Sequence, residues 1–409
     1  MIHTLYGDGI HDDYPAIQEM IDSGVCEVSL PAPKKNYLIS STLVLPSNFR
    51  LVLPRFAEIR LADGASCLMV RNLMKPFYAE RLLAEHSPLC KHLWYYVDEC
   101  DPDFTVENVE ICGGIWNFNN KNQMPNVEQT KDLSQHGYTG DGMLFYGVKN
   151  LKLTHMTCKD PVHWGISLDR VSYFTVEDIT FDYNLGNPVA LNMDGVHLNG
   201  NCHFGVLKNL KGACYDDLVA INAHEGSKGP ITNIHIDGIF AEVCHSAVRL
   251  LTVSDDIRNI KISNVYGTYY QYCIGFTKYY PGETTGVFDA IVLDGIHASK
   301  ASREGIYPYP NSFVFPFIFI QSDTSVKNLR ISNMHRDESV IPICTVGIQK
   351  KASIESLYID GASTANRTNS SMPFIHNEGK IGSLTLSCVD TDKDPLISGD
   401  GIIENLKHF

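Results

Sequence analysis

One short phrase recurs through most of the chain: a polar or aromatic residue, an apolar one, any residue, a second apolar one, then mostly polar positions. It begins at Asn108, Asn150, Tyr173, His203, Asn233, Asn259, Ala290, Asn328, Ser356 and Ser383, as in Asn233-Ile-His-Ile and Asn259-Ile-Lys-Ile. Most starts lie 23 to 31 residues apart. Apolar residues alternating over four or five positions between Gly, Asn and Asp mark short strands with one face on a core. A helical solenoid needs a 3.6-residue apolar period through each unit, which is absent, and leucine-rich repeats carry a stricter leucine pattern. The spacing predicts an all-β chain, a single right-handed parallel β-helix over residues 1–409 whose turns pair at about 4.8 Å. Length does not add a second domain, because solenoids grow by turns.

Such a coil has open ends. Residues 12–24 read as one short helix, with acids and Pro15 in its first turn, Ile17, Met20 and Ile21 on one face, and Gly24 as its stop. It is expected to close the first turn within a cap region at 1–30. Residues 72–104 and 117–140 break the repeat and are expected to project as loops beside a cleft.

Composition narrows the partners. With 33 basic and 47 acidic residues the net charge is −14, which opposes nucleic acid and anionic membrane surfaces. The longest strongly apolar stretch, Phe313 to Ile320, contains Pro316 and is far shorter than the roughly 20 residues that cross a bilayer. The opening Met1-Ile2-His3-Thr4 leads straight into fold-like sequence without a leader pattern, so a cytoplasmic location is expected. Twelve cysteines without C-x-x-C pairs read as free thiols. His224-Glu225-Gly226 lacks the second His of a zinc motif, so neither metal nor other cofactor is expected.

In a coil, residues one turn apart stand over each other. Asp194 lies 22 residues before Asp216, and His245 lies 28 after Asp217, which predicts three carboxylates and an imidazole on one face. Crowded carboxylates raise the proton affinity of at least one of them, the condition for a general acid. An acid and a base flanking a glycosidic bond are what hydrolysis requires, about 6.5–9.5 Å apart when the reaction inverts. Asp-Gly and Asp-Asp also suit plain turns, and the spacing alone leaves both readings open.

Residues 141–260 resemble the polygalacturonases of glycoside hydrolase family twenty-eight, within the pectate-lyase-like β-helix superfamily. The likeness rests on Asp160-Pro-Val-His163-Trp164, on Asn192-Met193-Asp194-Gly195 where the family has Asn-Thr-Asp-Gly, and on Asp216-Asp217-Leu-Val-Ala-Ile where it has Gly-Asp-Asp-Cys-Ile-Ala-Ile. Gly7-Asp8-Gly9 with Asp12-Asp13 resembles the cap of the wider superfamily, which includes phage tailspikes. The resemblance implies an inverting glycosidase in which Asp216 is the acid, Asp194 and Asp217 activate water, and His245 orients the carboxylates. His245 lies between Cys244 and Ser246, where the family has Gly-His-Gly.

The family's Arg-Ile-Lys clamp for the substrate uronate is replaced by Cys273-Ile274-Gly275-Phe276-Thr277-Lys278, with Lys278 shifted by one position and so onto the other face of a regular strand. A substrate neutral at the reacting sugar, or one held by other cations such as Arg249, is therefore expected. Arg249 lies four residues after His245 and shares its strand face. Asn192, His163, Trp164 and His224 complete the expected substrate contacts, with core packing as the other reading of Trp164; Trp116 and Tyr215 are further cleft candidates. The partner is an oligosaccharide or polysaccharide of pectic or related plant or microbial origin, trimmed from an end. A lyase or epimerase on the same coil, and a tailspike-like coil that only binds sugar, are the alternatives.

Overall fold

The computed structural model describes residues 3–75, 103–125, 140–279, 285–302 and 315–409. Their regular elements are parallel strands apart from one α-helix and one short 3-10 helix, wound as a right-handed parallel β-helix. They pack as two compact units, Met1–Val206 with Glu225–Lys228, and Leu207–His224 with Gly229–Phe409. Most of the two expected loops, residues 76–102 and 126–139, lies outside the described residues.

In the first unit the helix spans Tyr14–Asp22, with Pro15 at its start and Gly24 just beyond its end at φ 84°. Ala16, Ile17 and Ile21 are buried while Met20 is half-buried, and the helix packs on the strands Glu27–Ser29 and Leu43–Leu45. The Gln18 amide accepts from Val44 N–H (2.9 Å) and donates to its carbonyl (3.1 Å), fixing the helix to the coil. Asp12 and Asp13 were expected in the first helical turn, but both precede it. Asp13 instead accepts backbone N–H bonds from Tyr6 (2.6 Å), Gly7 (3.1 Å) and Leu38 (3.2 Å), tying the incoming chain to the first strands. Trp116 is fully buried with its indole N–H on Gly113 O (3.1 Å), so it is a core residue and lines no cleft.

In the second unit the recurring phrase becomes vertical columns. Ile234, Ile260, Ile291, Leu329, Leu357 and Leu384 pair strand to strand in register and are all buried. Each such side chain contributes roughly 1.5–3 kcal/mol by leaving water, so the column, not any single turn, holds the unit together. The Asn that often opens the phrase has a separate task. Asn233 and Asn259 sit at φ 60° and 56°, left-handed values that bend the chain before the apolar pair, and Asn tolerates them better than most residues. Their amides also form a ladder, Asn259 donating to Asn233 at 3.1 Å. The same device recurs in the first unit, where Asn150 donates to Asn108 (2.7 Å) and Asn108 to Asn48 (2.6 Å).

The second unit also buries three ionisable side chains, Arg336, Glu338 and Lys300. The Arg336 guanidinium donates to Glu338 Oε2 through Nε (3.0 Å) and Nη2 (2.6 Å), and both side chains are fully buried. The other Glu338 oxygen accepts from Val340 and Ile341 N–H, both at 2.9 Å. Lys300 is equally buried and donates to the carbonyls of Tyr270, Gln271 and Phe315. A buried network of this kind is tolerable because nearly every donor and acceptor is matched.

Candidate active site

In the second unit Asp216 and Asp217 stand at the entry to the strand Asp217–Asn222, and His245 at the corner between Ile231–Cys244 and Ser246–Leu251. The parallel pairing puts Asp217 opposite Ser246, which brings the corner over the two aspartates. His245 Nδ1 lies 3.2 Å from Asp216 Oδ1 and 4.0 Å from Asp217 Oδ1. Arg249 Nε reaches Asp217 Oδ2 at 2.7 Å, and the Ser246 hydroxyl donates to Asp217 Oδ1. Asp217 and His245, one turn apart, therefore lie 4.0 Å from each other, and Arg249 meets the same aspartate.

The two carboxylates are not equivalent. Asp217 is sealed at 0% side-chain exposure by Arg249 and Ser246, whereas Asp216 keeps 7% and Arg249 12%. An aromatic wall backs them. Tyr270 meets the His245 ring edge-on at 5.2 Å, and Arg249 lies 5.8 Å over the Tyr279 ring. Tyr272 is fully buried; burial first, and then the charge of Asp217, push its phenol well above the ordinary range, so it stays neutral. Asp216, Asp217 and His245 offer ligand atoms within 4.8 Å of one another, a set that fits a divalent cation as well as it fits acid–base work.

Gly275 pairs with Arg249 across neighbouring strands. A Cβ there would meet the Tyr272 ring at 2.6 Å, so Tyr272 fills the space beside Gly275. Lys278 follows the strand Ile274–Thr277, is half-buried, and gives its backbone N–H to Gln321 Oε1 (2.7 Å). His224 and Tyr215 are half-buried, in the turn after Asn222 and just before Asp216.

In the first unit Asn192 takes φ 49° in the turn before the strand Val196–Leu198, and Asp194 is fully buried there. The backbone carbonyl of Asp194 accepts from Gly165 N–H (2.9 Å) and the Tyr183 hydroxyl (3.0 Å), which fixes the turn. The Asp194 carboxylate meets His197 Nδ1 at 2.6 Å, and His197 Nε2 meets Glu225 Oε2 at 3.2 Å. The Trp164 ring stacks on His197 at 3.3 Å between centroids and is itself buried; beside it, buried His163 pairs through Nδ1 with Asp141 at 2.7 Å. His197 and Asp141 carry no role in the sequence reading, and Glu225 enters it only within His224-Glu225-Gly226. The same turn spacing finds them, since Glu225 lies 28 residues after His197 and His163 lies 22 after Asp141.

Next to this group Asp169 is fully buried and its carboxyl is pushed up to about 6, chiefly by burial, although Ser227 N–H donates to Oδ2 at 2.8 Å. Asp169 Oδ1 and the Asn199 carbonyl oxygen both lack a donor among the described residues. Because the folded value lies above the ordinary one, the folded state binds the proton more tightly, and this carboxyl costs stability as pH rises from about 4 to 6. Asp169→Asn, which needs no charge and brings an N–H₂ to this place, is expected to raise stability at pH 7 by about 1–3 kcal/mol, with no gain at pH 4. Urea unfolding at the two pH values checks it.

No family model matches the sequence, and no curated protein matches it. Solved structures do resemble it. A family 28 exopolygalacturonase from Yersinia enterocolitica is 14% identical over 96% of this chain and 77% of its own, with a TM-score of 0.56. A mannuronan C-5 epimerase A-module from Azotobacter vinelandii is 14% identical over 99% of this chain and 96% of its own, TM-score 0.60. A tailspike protein mutant of E. coli bacteriophage HK620 is 13% identical over 98% of this chain and 76% of its own, TM-score 0.57. At such identities the shared property is the parallel β-helix.

Proposed function

We propose that this protein is a glycoside hydrolase that cleaves a glycosidic bond in a pectic or related plant or microbial oligosaccharide with inversion, acting from a chain end. The observation that carries the reading is the unequal pair Asp216 and Asp217 under His245. Asp216, which keeps a small part of its side chain open and has an imidazole against it, donates the proton to the leaving oxygen. Asp217, with Arg249 as its counter-ion, holds the attacking water, and the base that takes the water's proton is Asp194 by the family resemblance, because Asp216 and Asp217 offer oxygens within 4.8 Å of each other, short of the roughly 6.5–9.5 Å that inversion uses. The exopolygalacturonase among the similar structures supports the substrate class. With Tyr272 filling the space beside Gly275, a uronate would have Arg249 as its cation, and a neutral sugar would need none.

The experiment is reducing-end release from a panel of pectic and neutral oligosaccharides, with proton NMR on the products. Cleavage without calcium and without unsaturated products supports the hydrolase. A second reading, elimination or epimerisation at a uronate, is favoured by the ability of Asp216, Asp217 and His245 to hold a divalent cation. It predicts a metal requirement and unsaturated or C5-inverted sugars. Sugar binding without any turnover would instead support a tailspike-like binding coil.

A further inference from the structure

We propose that His197 is a positioning residue, a buried imidazolium that bridges Asp194 to Glu225 and thereby fixes the orientation and charge of Asp194. Its effect on turnover rests on the hydrolase reading; its charge state does not.

The geometry demands two protons. Both ring nitrogens face a carboxylate oxygen, Nδ1 at 2.6 Å and Nε2 at 3.2 Å. A neutral imidazole has one N–H and one lone pair, so one carboxylate would face a lone pair. Side-chain exposures of 0% for His197, 1% for Asp194 and 9% for Glu225 leave little water to relieve that repulsion. Only the imidazolium donates to both. Trp164, stacked at 16° from coplanar, closes one face of the ring and is a favourable neighbour for a cation.

Glu225 is held in place from outside. The turn Glu225–Lys228 is anchored by Ser227 N–H on Asp169 Oδ2 (2.8 Å) and by Asn201 Nδ2 on Lys228 O (2.8 Å), so the carboxylate cannot simply swing away. The charged groups around His197 are Asp194 on the turn before its strand, Glu225 on this turn, and Asp169 on the neighbouring strand, beside Arg170. His163, against the far part of Trp164, has Asp141 as its own partner. Burial opposes the imidazolium, yet the bonds to Asp194 and then Glu225 outweigh it, and the His197 pKa is raised. As the folded value lies above the ordinary one, the imidazolium's contribution is fully present below the ordinary imidazole value and is lost as pH rises through the higher folded value.

The test is NMR of the full chain with ¹⁵N,¹³C-labelled histidine, the His197 signals being identified as those missing in His197→Gln. Should that variant fail to fold, the difference between the parent and Glu225→Gln identifies the same signals. The expected parent spectrum has both ring nitrogens of His197 protonated at pH 7, with a titration above that of an ordinary imidazole. In Glu225→Gln an amide N–H can donate to Nε2, the neutral ring becomes satisfied, and the titration is expected to fall by a pH unit or more. With a cleavable sugar, the alkaline limb of kcat is expected to move down with it while KM holds, a coupling that mere packing would not produce. A neutral His197 at pH 7, a titration unmoved in Glu225→Gln, or an alkaline limb that ignores the variant overturns the proposal. If the parent cleaves no sugar the hydrolase reading fails, and the spectra still decide the charge state.

Discussion

Asp216→Asn is expected to lower kcat on a natural oligosaccharide by about 10²- to 10⁴-fold, the usual span for loss of a general acid, with KM little changed. Asn keeps the shape of Asp and can still meet His245 Nδ1, 3.2 Å away, so the fold and the bound sugar are preserved while the proton is gone. The role, not merely the need, is tested by the leaving group. An aryl glycoside whose phenol departs without protonation should be cleaved by Asp216→Asn almost as fast as by the parent. Asp217→Asn should be slow on both substrates, because the attacking water must be held in either case. Equal losses for the two variants on both substrates would contradict the division of labour drawn from their unequal exposure.

Glu338→Gln is expected to cost about 3–5 kcal/mol of stability, the range found when one partner of a buried ion pair is removed. The variant leaves Arg336, and Lys300 when it is protonated, without their common counter-charge, and puts an N–H₂ where Glu338 accepts from Arg336, Val340 and Ile341 or from Lys300 N–H (3.1 Å). Arg336→Met should cost less, since Glu338 keeps Lys300 nearby and all three of its backbone donors. The pH dependence has a definite sign. Burial, and then the charge of Arg336, push Lys300 down to about 7, against the pull of Glu338. Loss of Glu338 lowers it further, so the gap between variant and parent should widen as pH drops below about 7. Denaturant melts at pH 8 and pH 6 read the difference, and a Glu338→Gln protein as stable as the parent would show that the network is not what holds this part of the coil.

The columns were legible because side-chain alternation is a local rule: Ile234 and Ile236 announce an inward face whatever surrounds them. Side-chain contacts were legible where they join residues one turn apart, as with Asp217 and His245. The Arg336–Glu338 pair escaped because its members are two residues apart on one strand, both turned inward where an alternating pattern expects apolar side chains. His197 escaped for a similar reason, since a histidine inside the apolar strand Val196–Leu198 looks like core until Glu225, one turn on, is set against it. The tightness at Gly275 has no local signal, because the Tyr272 ring that excludes a side chain there comes from three residues earlier through a bend in the chain.

The measurement that bears most directly on the catalytic reading is the anomer first released when the parent protein cleaves an oligosaccharide of known linkage, followed by proton NMR before mutarotation sets in. An acid and a base working on opposite faces of the sugar predict the inverted anomer, and its absence in Asp216→Asn. Release of the retained anomer, or of an unsaturated sugar, would contradict the account.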